Sequence, residues 1–178
     1  DTACAASRGL YLVQGDATNT ARMEGYREGV NEAGGEFLDA ETQYANATAD
    51  LAVTAMEGIM SKYPEGVAII CSNNDDMALA AARTAKDNPN YAKTIFLGFD
   101  GQKSAVEAVL NGELTMTAAQ NNFDIGYKAV ETIVKILNGE ADISTMPIEY
   151  TDVTKKYNKT ICDDLGLTVP DGYEEIEG

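Results

Sequence analysis

The chain has no histidine and no tryptophan, and only 3 cysteines and 4 prolines in 178 residues. Without histidine there is no Ser–His or Cys–His nucleophile pair and no imidazole-ligated metal site. Cys4, Cys71 and Cys162 show none of the close spacings of a metal knuckle or a redox pair. Their odd number and wide spacing argue against a bridge between Cys4 and Cys162. Cys71 closes the apolar run Val67-Ala68-Ile69-Ile70 and is expected as a small core residue. Positive charge is scarce: 13 Lys and Arg stand against 29 Asp and Glu, a net charge of −16. Such a field repels nucleic acid and anionic lipid, whose recognition depends on clustered cations. No apolar run approaches the ~18 residues of a membrane span. Asp1-Thr2-Ala3-Cys4 has neither the basic start nor the apolar segment of a secretory leader, so the sequence as given reads as a mature or trimmed piece. Phosphate-loop patterns are missing as well. The one carboxylate pair near a candidate site, Asp75-Asp76, points two ways from a helix start and is unsuited to joint acid–base work. No cofactor and no metal are expected, and the chain is read as a non-enzyme.

What remains is ordinary for a folded domain: 44% hydrophobic and 24% charged residues. Strand and helix patterns alternate. Strands are expected at Gly9–Gln14, Glu36–Thr42 (weaker), Val67–Cys71, Thr94–Gly98, Leu114–Ala119 and Ile148–Val153. The first helix should be capped by Thr18, Asn19 or Thr20, carry Met23, Tyr26 and Val30, and stop at Gly34-Gly35. Further helices are expected from Thr48 to Lys62, from an Asn74 or Asp75 cap to about Ala85, over Lys103–Leu110, and from an Asp124 cap to Leu137. The acidic end, with Asp163, Asp164, Asp171, Glu174, Glu175 and Glu177, reads as short helix, coil and solvated tail. Alternation of this kind predicts an α/β fold: three layers, doubly wound, with a mostly parallel sheet.

In such a sheet, ligands bind beyond the carboxyl ends of the strands. Arg22, Asn74, Asp100 and Gln120 all fall near that edge. A carboxylate accepts from adjacent hydroxyls, a guanidinium donates through a planar fork, and two carboxamides do both. The set suits a neutral, polyhydroxylated molecule. Helix capping competes as a reading at Asn74 and Asp75.

Several segments together resemble the periplasmic sugar-binding proteins of the ribose/galactose type, the receptors of sugar ABC transporters. They are Gln14-Gly15, Ala21-Arg22-Met23-Glu24-Gly25, Ser72-Asn73-Asn74-Asp75-Asp76-Met77-Ala78-Leu79, Gly98-Phe99-Asp100-Gly101, the stretch 105–114, and Ala119-Gln120 with Ile125-Gly126. The resemblance runs from about Leu10 to Val153. It implies sugar contacts by Arg22, Asn74, Asp100 and Gln120, with Tyr44 and Asp16 as further candidates. It also implies a monosaccharide ligand, closure of two lobes over it, a membrane permease as partner, and an extracytoplasmic location in a periplasm or on a cell-surface lipoprotein. The family's stacking aromatic after the second strand is matched by Ala47, with Tyr44 nearby, and a further polar position is matched by Ala49. The effector domain of a LacI-type regulator and a chemotaxis or signalling receptor are the alternatives that share this fold.

The resemblance covers one half of a full-length family member. Residues 1–120 correspond to the second lobe, 121–147 to a segment of the absent first lobe, and 148–178 to a return strand and acidic tail. A helix over 123–138 would then carry Phe123, Tyr127, Val130, Val134 and Leu137 on a face with no partner. The isolated chain is expected to fold this helix back, swap it, or dimerise through it.

Overall fold

The computed structural model describes residues 6–11, 17–142, 144–145, 153–157, 163 and 173–175. Cys4, Asp16 and Cys162 lie outside them. The elements run β1 (Ala6–Tyr11), α1 (Ala17–Glu32), β2 (Glu36–Phe37), β3 (Gln43–Tyr44), α2 (Ala49–Lys62), β4 (Ile69–Ser72) and α3 (Asp75–Ala85). They continue as β5 (Ile95–Asp100), α4 (Lys103–Leu110), β6 (Met116–Gln120), α5 (Asn122–Leu137), β7 (Val153–Tyr157) and β8 (Tyr173–Glu175). Among the described residues these strands form one sheet in the order β2-β1-β4-β5-β6-β7-β8, with β3 also paired to β1. All pairings are parallel except β6–β7. The expected mostly parallel α/β sheet is therefore present.

Side-chain alternation along β4 and β5 generates the layers. Ile70 and Phe96 face α2, α3 and α4, in a core with Ala52, Met56, Ile59, Met77, Ala81, Ala105 and Val109. Their strand neighbours Ile69, Cys71 and Leu97 face α1 and pack on Met23, Tyr26 and Val30 with Phe37. Each fully buried aliphatic side chain contributes about 1.5–3 kcal/mol. Alternate residues of β4 and β5 thus anchor two cores, one on each face of the sheet. Cys71 is buried, and that burial pushes its thiol up to about 12, so it is inert packing.

Six expectations are corrected. The strand foreseen over Glu36–Thr42 is two two-residue strands split by a 3-10 turn at Asp39–Glu41. Asp and Glu favour turns over pleats, and here Asp39 pairs with Arg27 and Glu41 with Lys62, both at 2.6 Å. Helix α1 begins at Ala17, so Thr18, Asn19 and Thr20 lie inside its first turn and do not cap it. Helix α5 is capped by Asn121, not Asp124: Asn121 Oδ1 accepts from the Asp124 N–H, while Asn121 Nδ2 donates to Asp124 Oδ2 at 2.6 Å. This reciprocal arrangement satisfies an amide at the helix start while tying its third residue to the cap. The last expected strand appears as Val153–Tyr157; 148–152 lie outside the described residues. Tyr173–Glu175, foreseen as tail or coil, is a strand in parallel register with Lys155–Tyr157.

The last correction concerns the fold-back of α5. Among the described residues the chain does not fold it back: none of the residues of α5 is buried, and Phe123, Tyr127, Val130, Ile133, Val134 and Leu137 are exposed. Because Leu137 is 80% exposed, Leu137→Glu should leave the stability of this chain within about 0.5 kcal/mol of the parent in urea denaturation. A loss above about 1.5 kcal/mol would mean that the helix is covered in solution.

Candidate sugar-binding site

Asp100 is the hub. It ends β5, and Gln120, which ends the neighbouring β6, donates from Nε2 to Asp100 Oδ1 at 2.6 Å. Arg22 reaches the same oxygen from α1, Nη2 to Oδ1 at 3.7 Å. Its Nη1 donates to the Asn73 carbonyl at 2.8 Å, and its guanidinium lies 4.0 Å over the Phe99 ring. One carbonyl, one carboxylate and one ring face hold the fork in a single plane. Charge within the cluster is balanced between Arg22 and Asp100. Partial burial pushes the Asp100 carboxyl above its ordinary value, against the opposing pull of Gln120 and Arg22.

Asn74 lies on the same edge, next to Asn73, but its side-chain oxygen is used locally. It accepts from the Met77 N–H at 2.9 Å and caps α3, the competing role the sequence left open. What Asn74 can offer a ligand is therefore its Nδ2. Asn74→Ala should cost about 1 kcal/mol of stability, and Asn74→Asp much less, by chemical denaturation. Equal losses would dissociate the residue from the cap. Tyr44, 49% exposed at the end of β3, stands across β1 and β4 from Asp100. Arg22, Asp100 and Gln120 are thus in contact, Asn74 is beside them, and Tyr44 is apart.

Sequence reasoning missed three supports. Phe99 entered only as part of the segment Gly98-Phe99-Asp100-Gly101, with no role of its own. Tyr26, foreseen as a helix-face residue, donates its hydroxyl toward the carbonyls of Ser72 (3.1 Å) and Gly98 (3.2 Å), pinning the ends of β4 and β5 together. Burial raises its phenol well above the usual value, so it stays a donor. Asp75, foreseen as a cap, is instead fully buried, with Oδ1 accepting from Thr117 Oγ1 at 2.6 Å and Oδ2 from the Gln102 N–H at 2.8 Å. Gly98 is needed there because a Cβ would overlap Asp75 Oδ1.

This edge is kept under tension. Asp100 has φ 119, a conformation side chains rarely adopt. Burial pushes Asp75 up to about 6, although its two hydrogen bonds oppose the shift. Ser72 Oγ and Asn73 Oδ1 are buried with no hydrogen-bond partner among the described residues. Raised above its unfolded value, Asp75 binds a proton more readily in the native chain, so its contribution falls as pH rises from about 4 to 6. The destabilisation by Asp75→Asn should accordingly be larger at pH 4 than at pH 7, as read from urea midpoints. The reverse order would contradict the raised carboxyl.

A depression of about 440 Å³ lies at the opposite, amino-terminal edge of β5 and β6, lined by Arg83, Lys86, Lys93, Asn111 and Glu113 among others. Arg83 and Lys86 sit at the carboxyl end of α3, where the helix dipole favours them, Lys93 precedes β5, and Arg83 pairs with Glu113 at 2.9 Å. It is remote from the Asp100 edge.

A family model described as periplasmic binding protein domain matches residues 10–141, most of the chain and all four contacting or adjacent residues. The chain belongs to the periplasmic binding protein family. The ribose import binding protein RbsB of Escherichia coli is 31% identical over 147 residues, covering 83% of this chain and 48% of the relative. The D-allose-binding periplasmic protein of the same organism is 31% identical over 120 residues, 67% of this chain and 38% of the relative. Among solved structures, a periplasmic solute-binding protein of an ABC transporter from Actinobacillus succinogenes with bound D-allose superposes with a TM-score of 0.77. It is 22% identical and covers 90% of this chain and 54% of that one. The Caulobacter myo-inositol binding protein, bound to myo-inositol, gives 0.70 at 25% identity, over 78% and 48% of the two chains. This periplasmic binding protein chain spans about half the length of the curated relatives it matches, 48% for RbsB. Among the described residues, no helix is long and apolar enough to cross a membrane.

Proposed function

We propose that this chain supplies one lobe of the solute-binding component of an ABC-type sugar importer. It grips a neutral monosaccharide without transforming it. The observation that carries the proposal is the contact of Arg22 and Gln120 with a strained Asp100 at the carboxyl edge of the sheet. Asp100 accepts from two sugar hydroxyls, Arg22 donates to ring or hydroxyl oxygen, and Gln120 and the Asn74 amide complete the set. Bonds to charged partners contribute about 1.5–3 kcal/mol each. A neutral ligand fits a charge-balanced cluster in a chain of net charge −16, which repels anions.

In this reading residues 1–120 form the second lobe, 121–147 belong with the first, and 148–178 supply a return strand and an acidic tail. The uncovered apolar face of α5 is then covered by the first lobe in the two-lobed protein, and the lobes close on the sugar by a hinge. A permease receives the cargo on the outer side of the membrane. The relatives reported above are import and binding proteins, and no observation favours a LacI-type regulator. Asp16 and Tyr44 are proposed as further contacts made in the two-lobed protein, Tyr44 as an exposed aromatic surface.

Calorimetric titration of the two-lobed protein with ribose, allose and myo-inositol tests this reading. Micromolar or tighter binding of at least one is expected, with the present chain alone binding at least a hundredfold more weakly. No heat with any neutral polyol would end it.

A further inference from the structure

We infer that Asp75, which the proposed ligand never touches, is a positioning residue that holds the Asp100 carboxylate in its presenting conformation. The argument is one of connectivity. Asp75 opens α3, is fully buried, and spends both carboxylate oxygens on the far side of the site: Oδ2 on the Gln102 N–H at 2.8 Å, Oδ1 on Thr117 Oγ1 at 2.6 Å. Thr117 Oγ1 in turn accepts from the Gly101 N–H at 3.2 Å. The two amides that follow Asp100 are therefore both tied, directly or through one hydroxyl, to the same carboxylate. Those ties close the turn that carries Asp100 at φ 119 and Gly101 at φ 71. Left alone, a non-glycine residue relaxes out of the first of these conformations. The clamp also crosses the sheet, since Thr117 pairs with Gly98 on β5, and Gly98 has no room for a side chain against Asp75.

Helix capping does not account for the arrangement. Asn74 already fills the cap of α3, and an ordinary first-turn aspartate points to solvent, as its neighbour Asp76 does. A buried carboxylate with two donors from a neighbouring loop and strand is organised around the turn after β5.

The ligand half of this inference rests on the sugar-binding reading; the conformational half does not. The test uses the 178-residue chain, with Thr117→Val and Asp75→Asn as independent ways to cut the clamp and Thr117→Ser as the conservative control. Amide exchange of Gly101 and the three-bond amide–Hα coupling of Asp100 are measured by NMR, with ribose titrated into each protein. Thr117→Val should speed Gly101 exchange at least tenfold, raise the Asp100 coupling from the small value that φ 119 requires, and weaken ribose binding at least tenfold. Thr117→Ser should return all three to within threefold of the parent. Should Thr117→Val fail to fold, Asp75→Asn is read in its place, with Gln102 exchange as the amide probe. An unchanged Asp100 coupling in a folded clamp variant overturns the inference, whether or not sugar binds. So does an affinity unchanged where the parent binds ribose measurably. If this single lobe binds no ribose measurably while the coupling and exchange respond as stated, the positioning role stands, and the sugar-binding reading fails only when the two-lobed protein is silent as well.

Discussion

Asp100→Ala in the two-lobed protein should weaken sugar binding by at least a hundredfold, and Asp100→Gly should weaken it as much. Yet the glycine variant should be the more stable of the two, by about 1–3 kcal/mol. The affinity loss follows from removing an acceptor of two charge-assisted bonds at about 1.5–3 kcal/mol each. The stability difference follows from φ 119, which glycine adopts freely and alanine does not. Both substitutions delete the same carboxylate and the same contacts with Arg22 and Gln120, so the comparison isolates the backbone. Calorimetry supplies the first number and urea denaturation the second. Equal stability of the two variants would remove the argument that the turn is strained. Retained affinity in either would remove Asp100 from the site.

Gly101→Ala should be strongly damaging to the fold, costing about 2–6 kcal/mol. Two causes add. The residue has φ 71, and an added Cβ would press on the side chain and Cα of Ala119 (2.7 Å to the latter) on the neighbouring strand. Strain of about 1–3 kcal/mol and overpacking of similar size are both expected. Against a total stability of about 5–15 kcal/mol for a domain, that is enough to leave much of the chain unfolded at body temperature. Gly29→Ala in α1 is the natural control. Nothing lies within 4 Å of a Cβ there, and replacing a mid-helix glycine should stabilise by about 0.5–1 kcal/mol. Denaturant midpoints moving in the same direction for both would refute the local geometry.

The sequence was most legible where start and stop signals flank a clear period. Helix α4 spans Lys103–Leu110 as expected, because Asn111-Gly112 leaves no room for another turn. Helix α2 runs Ala49–Lys62 behind Thr48, close to the expected span. Strands were harder. Gln43–Tyr44 and Tyr173–Glu175 carry little intrinsic preference and are strands because β1 and β7 offer edges to pair with. At the site, residue type and strand end sufficed to bring Arg22, Asp100 and Gln120 together. They did not reveal what holds those residues. Phe99 beneath Arg22 looks like any apolar strand residue, and Asp75 looks like any helix-start carboxylate. Their roles depend on contacts across 77 and 42 positions of chain, from Arg22 to Phe99 and from Asp75 to Thr117, which no local pattern encodes.

The rims of the sheet carry a consequence of their own. Among the described residues it ends on one side in β2 and β3, of two residues each, and on the other in β8, of three. A foreign strand seeking backbone partners would find only a few amides in line before the ladder broke off. Native molecules of this chain are thereby poor seeds for cross-β fibres, and any fibril it forms should have to pass through unfolding first.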